Sequence, residues 1–202
     1  FIRSLFALPL VVLIARFEGQ LFPLKIGSWR LQVTRSLAAF FSYTCYYLAR
    51  SSIGLAVAVA IAFSTPFFVT LLAMGFLGEK VGIFRVLAIF MGLAGVLVIV
   101  QPGMGVFQPA AVFALLAAVF YAVSIISTRK LGRSTNGTTM TVVTVITYII
   151  GGGLIGIIFA LAPMASPHPS LDFLFRDWSW PQAQDWLLLA IIGGTAAAGF
   201  FC

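Results

Sequence analysis

Long apolar runs separated by short polar punctuation dominate the chain from end to end. A helix needs about 20 apolar residues to cross a hydrocarbon core of about 30 Å. Seven runs are therefore read as membrane helices, at about 2–17, 31–49, 53–77, 82–101, 109–128, 138–161 and 184–202. The first and the last are expected to be truncated. The stretch "QPGMGVFQP" (101–109) separates the fourth run from the fifth, because proline and glycine punctuate helices. The stretch "SPHPSLDFLFRDWSWPQ" (166–182) is a polar, proline-rich loop, and Trp178, Trp180 and Trp186 suit a membrane interface.

One run breaks the pattern. "IAFSTPFFVTLLAMGFLGEK" (61–80) belongs to 28 uncharged residues, Ser51 to Gly78. As a straight helix they would span roughly 42 Å, more than the core is thick. Pro66 lies near the middle, where proline removes a backbone donor and clashes with the carbonyl four residues back, that of Ala62. A carbonyl freed in lipid needs protein, a hydroxyl or cavity water, and Ser64 and Thr65 stand next to it. Two compatible readings follow: a fixed kink that fits neighbouring helices, or a hinge or kink at the wall of a hydrated cavity. Glu79 and Lys80 mark the exit from hydrocarbon, since charge is costly inside it.

Composition agrees with the bilayer as solvent. The chain is 61% hydrophobic and 8% charged, with a mean hydropathy of +1.11. Soluble domains run about 25% charged. A net charge of +7 could suggest nucleic acid, but the basic residues occur in ones and twos between apolar runs and form no patch. They sort by side instead. Arg16, Lys25, Arg30, Arg35, Lys80, Arg85, Arg129, Lys130 and Arg133 fall on one side, and Arg3, Arg50 and Arg176 on the other with Asp172 and Asp177. The positive-inside rule makes the richer side cytoplasmic. The first run is then expected to run inward, and the 162–183 loop to face out.

The chain reads as a piece of a longer protein, because Phe1 opens inside an apolar run and "GTAAAGFFC" stops inside another. Cys45 and Cys202 lie in separate runs, form no CxxC and read as small buried hydrophobes. The single histidine, His168, falls in the proline-rich loop. There is no HExxH pair for a metalloprotease, no Ser and His embedded together for a serine protease, and no apparent selectivity filter. Nor does any Asp, Glu, Lys, Arg or His lie near the middle of a predicted span, where proton pumps and many symporters place one. No catalytic residue, metal site or cofactor is expected. A membrane-embedded enzyme or lipid-handling protein is the alternative class.

Small residues recur at helical spacing: Gly54, Ala58 and Ala62; Ala56, Ala60 and Ser64; Gly92 and Gly95; Gly151, Gly152, Gly153 and Gly156. Such faces let helices approach closely in lipid. The polar residues within spans are more selective. Tyr43 and Tyr47 share a helix face, Tyr46 adjoins it, and Tyr121, Ser124 and Thr128 follow three-and-four spacing. Each fits interhelical hydrogen bonding or an interfacial position. Together they also fit the aromatic and hydroxyl lining of a cavity for an amphipathic solute.

An ordered series of features resembles a known family. An aromatic-rich helix ends in "YYLAR"; then come the alanine-rich helix with "STPFF", "LGEKVG", Arg85 and "GLAGVLVIVQPG", within residues 50–103 and just before them. "LLAAVFYAVSIISTRKLGR" (115–133) is similar to the helix that opens the second repeat of the same family. The series resembles the EamA-type members of the drug/metabolite transporter superfamily. That resemblance implies an all-α polytopic membrane helix bundle of ten helices in two inverted five-helix repeats. The seven visible helices would be the second to the eighth. Residues 1–107 would be the first repeat without its first helix, and 108–202 the second without its last helices.

The resemblance further implies transport of a small metabolite, often efflux of an amino acid or related compound, by alternating access through a central cavity. The cavity residues expected on that basis are Tyr43, Tyr47, Ser64, Thr65, Tyr121 and Ser124, with Pro66 as hinge or kink. Glu79 matches the family's Gly-Glu and is expected to be structural, pairing with a basic residue or capping the next helix. The partners expected are a small-molecule substrate and the lipid bilayer, with a second copy of the chain as a further candidate, in the inner membrane of a bacterium.

Overall fold

The computed structural model describes residues 2–17, 27–100, 109–161 and 183–199. The loop carrying His168, Asp172, Arg176, Asp177, Trp178 and Trp180 lies outside them, as do Lys25 and Cys202. Among the described residues there is no strand, and the helices fall into the seven expected segments. They are α1 (Ile2–Phe17), α2 (Trp29–Ser52), a third segment in three pieces, α5 (Ile83–Val100), α6 (Pro109–Leu131), α7 (Gly137–Leu161) and α8 (Ala183–Gly199). The third segment consists of α3 (Leu55–Ala62), α4 (Thr65–Leu72) and a π-helical turn (Ala73–Leu77).

Among the described residues three stretches are long and apolar enough to cross a membrane: Val57–Leu77, Ala110–Leu131 and Gly137–Ile158, of 21, 22 and 22 residues. Ser4–Phe17 and Val86–Val96 are shorter apolar helices. At 24 residues α2 has the length, but Arg30, Gln32, Arg35 and Arg50 dilute its apolar character. It extends beyond the predicted 31–49 at both ends, since arginine is as good a helix former as leucine.

The expected kink is a break between two helices. Phe63 and Ser64 tighten the end of α3, with Phe63 N–H donating to the carbonyl of Ala60 (3.2 Å) and Ser64 N–H to that of Ile61 (2.9 Å). Pro66 then falls in the first turn of α4, where its missing N–H leaves no intrahelical bond unmade. Thr65 Oγ1 donates to the carbonyl of Ala62 at 2.6 Å, and Ser64 Oγ to that of Ile61 at 2.7 Å. The carbonyl opposite the proline is thus satisfied by the adjacent threonine. The π-helical turn ends at Gly78, whose φ of 67° is a left-handed conformation that glycine adopts freely. The N–H groups of Gly78 and Glu79 both reach the carbonyl of Ala73 and close the turn.

Two compact units divide the chain, with boundaries inside α2 after Leu37 and inside α6 after Thr128. They gather helices by packing, and so differ from the repeats expected over 1–107 and 108–202. The first unit holds α1, the start of α2, the end of α6, α7 and α8. Its apolar core is Ala7, Val11 and Ala15 against Val142 and Val145, with Leu8 and Ile149 beside them. Phe6 meets Trp186 edge to face at 6.0 Å. The second unit holds the rest of α2, α3 to α5 and most of α6. Ala49, Ile53, Ala58, Ile61, Ala110, Ala111 and Ala114 form its core, edged by Tyr46, Val57, Val96 and Phe113. Small side chains let these backbones approach closely, the packing mode that serves when lipid competes with every apolar contact. Gly92 and Gly95 make no such approach among the described residues: a Cβ at either would meet nothing within 4 Å.

Candidate functional site

All eight residues singled out in the sequence fall in the second unit. Ser42 Oγ donates to the carbonyl of Ala117 at 2.8 Å, tying α2 to α6, and the rings of Phe41 and Phe120 lie 5.8 Å apart. Tyr43 follows the first pair on α2 and Tyr121 the second on α6. Tyr43, Tyr47 and Tyr121 are exposed (39%, 36% and 45%), whereas Tyr46 packs against the core. The tyrosines therefore divide: one is structural, and three are displayed by helices that pack on each other. Tyr46 and Tyr47 meet edge to face at 6.1 Å.

The hydroxyl residues are placed differently. Ser64 and Ser124 are buried, and Thr65 is half-buried. The hydroxyl protons of Ser64 and Thr65 serve the break before α4. The backbone carbonyl of Ser124 accepts the hydroxyl of Thr128 at 2.8 Å. Pro66 is exposed and Glu79 half-buried.

A second polar group, in the first unit, was not anticipated. Gln32, Arg35 and Ser36 occupy neighbouring positions on one face of α2 and meet the first turns of α7. Gln32 Nε2 donates to the carbonyl of Met140 at 3.2 Å. Arg35 Nη1 donates to the same carbonyl at 3.1 Å and to Thr144 Oγ1 at 2.6 Å. Ser36 Oγ lies 3.4 Å from Thr144 Oγ1, which itself donates to the Met140 carbonyl at 2.7 Å. Before α2, Gly27 N–H donates to Thr135 Oγ1 at 3.1 Å, and a Cβ at residue 27 would overlap the side chain of Ser134. Gly27 with Thr135, Gln32 with Met140 and Ser36 with Thr144 are all 108 residues apart. A constant offset means that the two helix starts run parallel and in register. The available signal was the i, i+3, i+4 spacing of Gln32, Arg35 and Ser36, matched by threonines at 138, 139, 141 and 144. In the sequence alone Arg35 reads only as a topology charge.

Apolar helices of membrane-spanning length, joined by buried side-chain hydrogen bonds, define a polytopic helical membrane protein. Residues 1–101 match the EamA-like transporter family, and the chain belongs to that family. Over 201 residues it is 24% identical to a protein of Rickettsia conorii named an S-adenosylmethionine uptake transporter, covering all of this chain and 60% of the relative. Over 171 residues it is 30% identical to a riboflavin transporter of Rhizobium johnstonii, covering 84% of this chain and 55% of the relative. The chain thus spans a little over half the length of these relatives. No solved structure matches it.

Proposed function

We propose that the complete protein carries a small organic metabolite across the inner membrane of a bacterium by alternating access, without catalysing a reaction. Membership of a transporter family carries this reading. The relatives are named for S-adenosylmethionine and for riboflavin; both compounds join a fused aromatic ring system to hydrogen-bonding groups. The three displayed tyrosines offer ring faces and hydroxyls to such a solute. The proposed binding residues are Tyr43, Tyr47 and Tyr121, with Ser124 on α6, Ser64 and Thr65 at the start of α4 in the same unit, and Pro66 setting the break between α3 and α4. The solute class is an amino acid or related compound, and the direction is efflux.

Transport would run through two inverted repeats, with the basic-rich ends in the cytoplasm. The parallel starts of α2 and α7 support that orientation, since both helices follow basic-rich segments. A cysteine introduced near Gly132 should be labelled only from the cytoplasmic side, and one near Ser170 only from outside; the opposite pattern overturns the orientation. Function is tested with the complete protein in vesicles, measuring both uptake and release of a panel of amino acids, S-adenosylmethionine and riboflavin. Saturable movement of one compound is expected, and movement of none rejects the reading.

A further inference from the structure

We propose that the polar seam between the first turns of α2 and α7 is a gate: it is shut in this structure and parts onto water during the transport cycle. This rests on the carrier reading above and adds the part of the first unit that moves. Helix α7 has two covered flanks. Towards α1 it presents Val142 and Val145 to Ala7, Val11 and Ala15. Towards α2 it presents the Met140 carbonyl and Thr144 to Gln32, Arg35 and Ser36. Parted apolar faces can be covered by lipid. Parted polar faces cannot, because hydrocarbon offers their donors and acceptors no partner. A polar seam in a membrane protein can open only where water follows, so the α2 side suits an aqueous opening.

Among the described residues the seam is also imperfectly satisfied when shut. The Met140 carbonyl receives three side-chain donors, from Gln32, Arg35 and Thr144, although an oxygen has two lone pairs. Gln32 is fully buried, and its Oε1 has no hydrogen-bond partner among the described residues. Turning the amide over would not help, since Oε1 would then face a carbonyl. Water entering the seam would satisfy Oε1 and relieve the crowded carbonyl. A permanent contact has no need of that arrangement, whereas a contact that must open has use for it. Ser36 and Gln32 are both 0% exposed in the shut form, which makes exposure of this seam a direct readout of opening.

The test uses the complete protein in inside-out vesicles, with Ser36→Cys introduced into a background in which Cys45 and Cys202 are replaced by alanine, and a membrane-impermeant maleimide as probe. Slow labelling is expected from the cytoplasmic side, accelerated at least tenfold by adding Arg35→Leu. If Ser36→Cys does not insert, Thr144→Cys gives the same readout. A cysteine that stays unlabelled in the folded protein, yet labels once denatured, overturns the gate whatever the protein transports. Ser36→Cys with Thr144→Cys adds the functional arm, because hydroxyls 3.4 Å apart place two sulfurs within reach of a disulfide after small adjustment. Oxidation should stop transport of the panel compound and reductant should restore it. Undiminished transport by the cross-linked protein overturns the gate and leaves the carrier reading intact. If the unmodified protein moves no panel compound, the carrier reading fails, and the labelling result alone decides whether the seam opens.

Discussion

One helix, α2, meets two kinds of neighbour. Over its first turns it faces α7 with a glutamine, an arginine and a serine that reach a carbonyl and a threonine. Near its end it contributes Ala49 to a cluster of small and branched apolar residues, and in between a single serine bonds the backbone of α6. Small-residue packing is indifferent to hydrogen-bond geometry and favours whatever close approach the backbones allow. A polar seam fixes register, as the constant offset of 108 residues shows. The contrast teaches that close packing and positional specification are carried by different residues of the same helix.

The largest expected effect comes from the tightest point of the polar region. Gly27→Leu drives a side chain into Ser134 and disturbs the bond to Thr135, and should lower stability by about 3 kcal/mol, read as a fall in unfolding temperature in detergent. Wild-type stability would mean that the close approach does not exist in solution. On the alanine side, Ala114→Leu places a large side chain where no surface is exposed, and overpacking should cost about 1–3 kcal/mol. A neutral result there would show that the small-residue contact is loose, and would remove the contrast.

Smaller effects follow at the break. Thr65→Val keeps the shape and removes the donor to Ala62, so about 0.5–1.5 kcal/mol should be lost. Pro66→Ala is expected to insert and express at near-normal levels while transporting poorly. Normal transport would return the break to a purely packing role. The mildest change is Tyr→Phe at residues 43, 47 and 121, which should leave stability alone and weaken apparent affinity by a factor of roughly 2–13. Tyr→Ala should weaken it further. Unchanged affinity in all six variants removes the tyrosines from the site.

The seven helical segments were legible because each is an apolar run closed by charge, proline or glycine. Pro66 announced a disturbance, and Thr65 was visible beside it as the hydroxyl that could bond Ala62. The π-helical turn was not legible: "AMGFL" reads as ordinary helix, and only the left-handed Gly78 after it hints at a stop. The division of the tyrosines could not be read from spacing, since Tyr46 and Tyr47 are neighbours and only packing assigns one to the core. The α2–α7 seam was least visible of all. Gln32 and Arg35 sit near the charged start of their helix, where topology alone accounts for an arginine, and the groups that receive them lie more than a hundred residues away.

That separation has a consequence for biosynthesis. At about 5–20 residues per second, the 108 residues between the two sides of the seam occupy the ribosome for roughly 5–20 s. During that interval α2 exists and the first turns of α7 do not, so Gln32, Arg35 and Ser36 enter the insertion machinery before the carbonyl and hydroxyl that will receive them have been made. Their start of α2 must wait at the headgroup level, or beside a helper protein, until α7 arrives. Ribosome-bound chains cut short before Thr144 should accordingly leave a cysteine at residue 36 open to aqueous reagents, and chains extended past α7 should shield it.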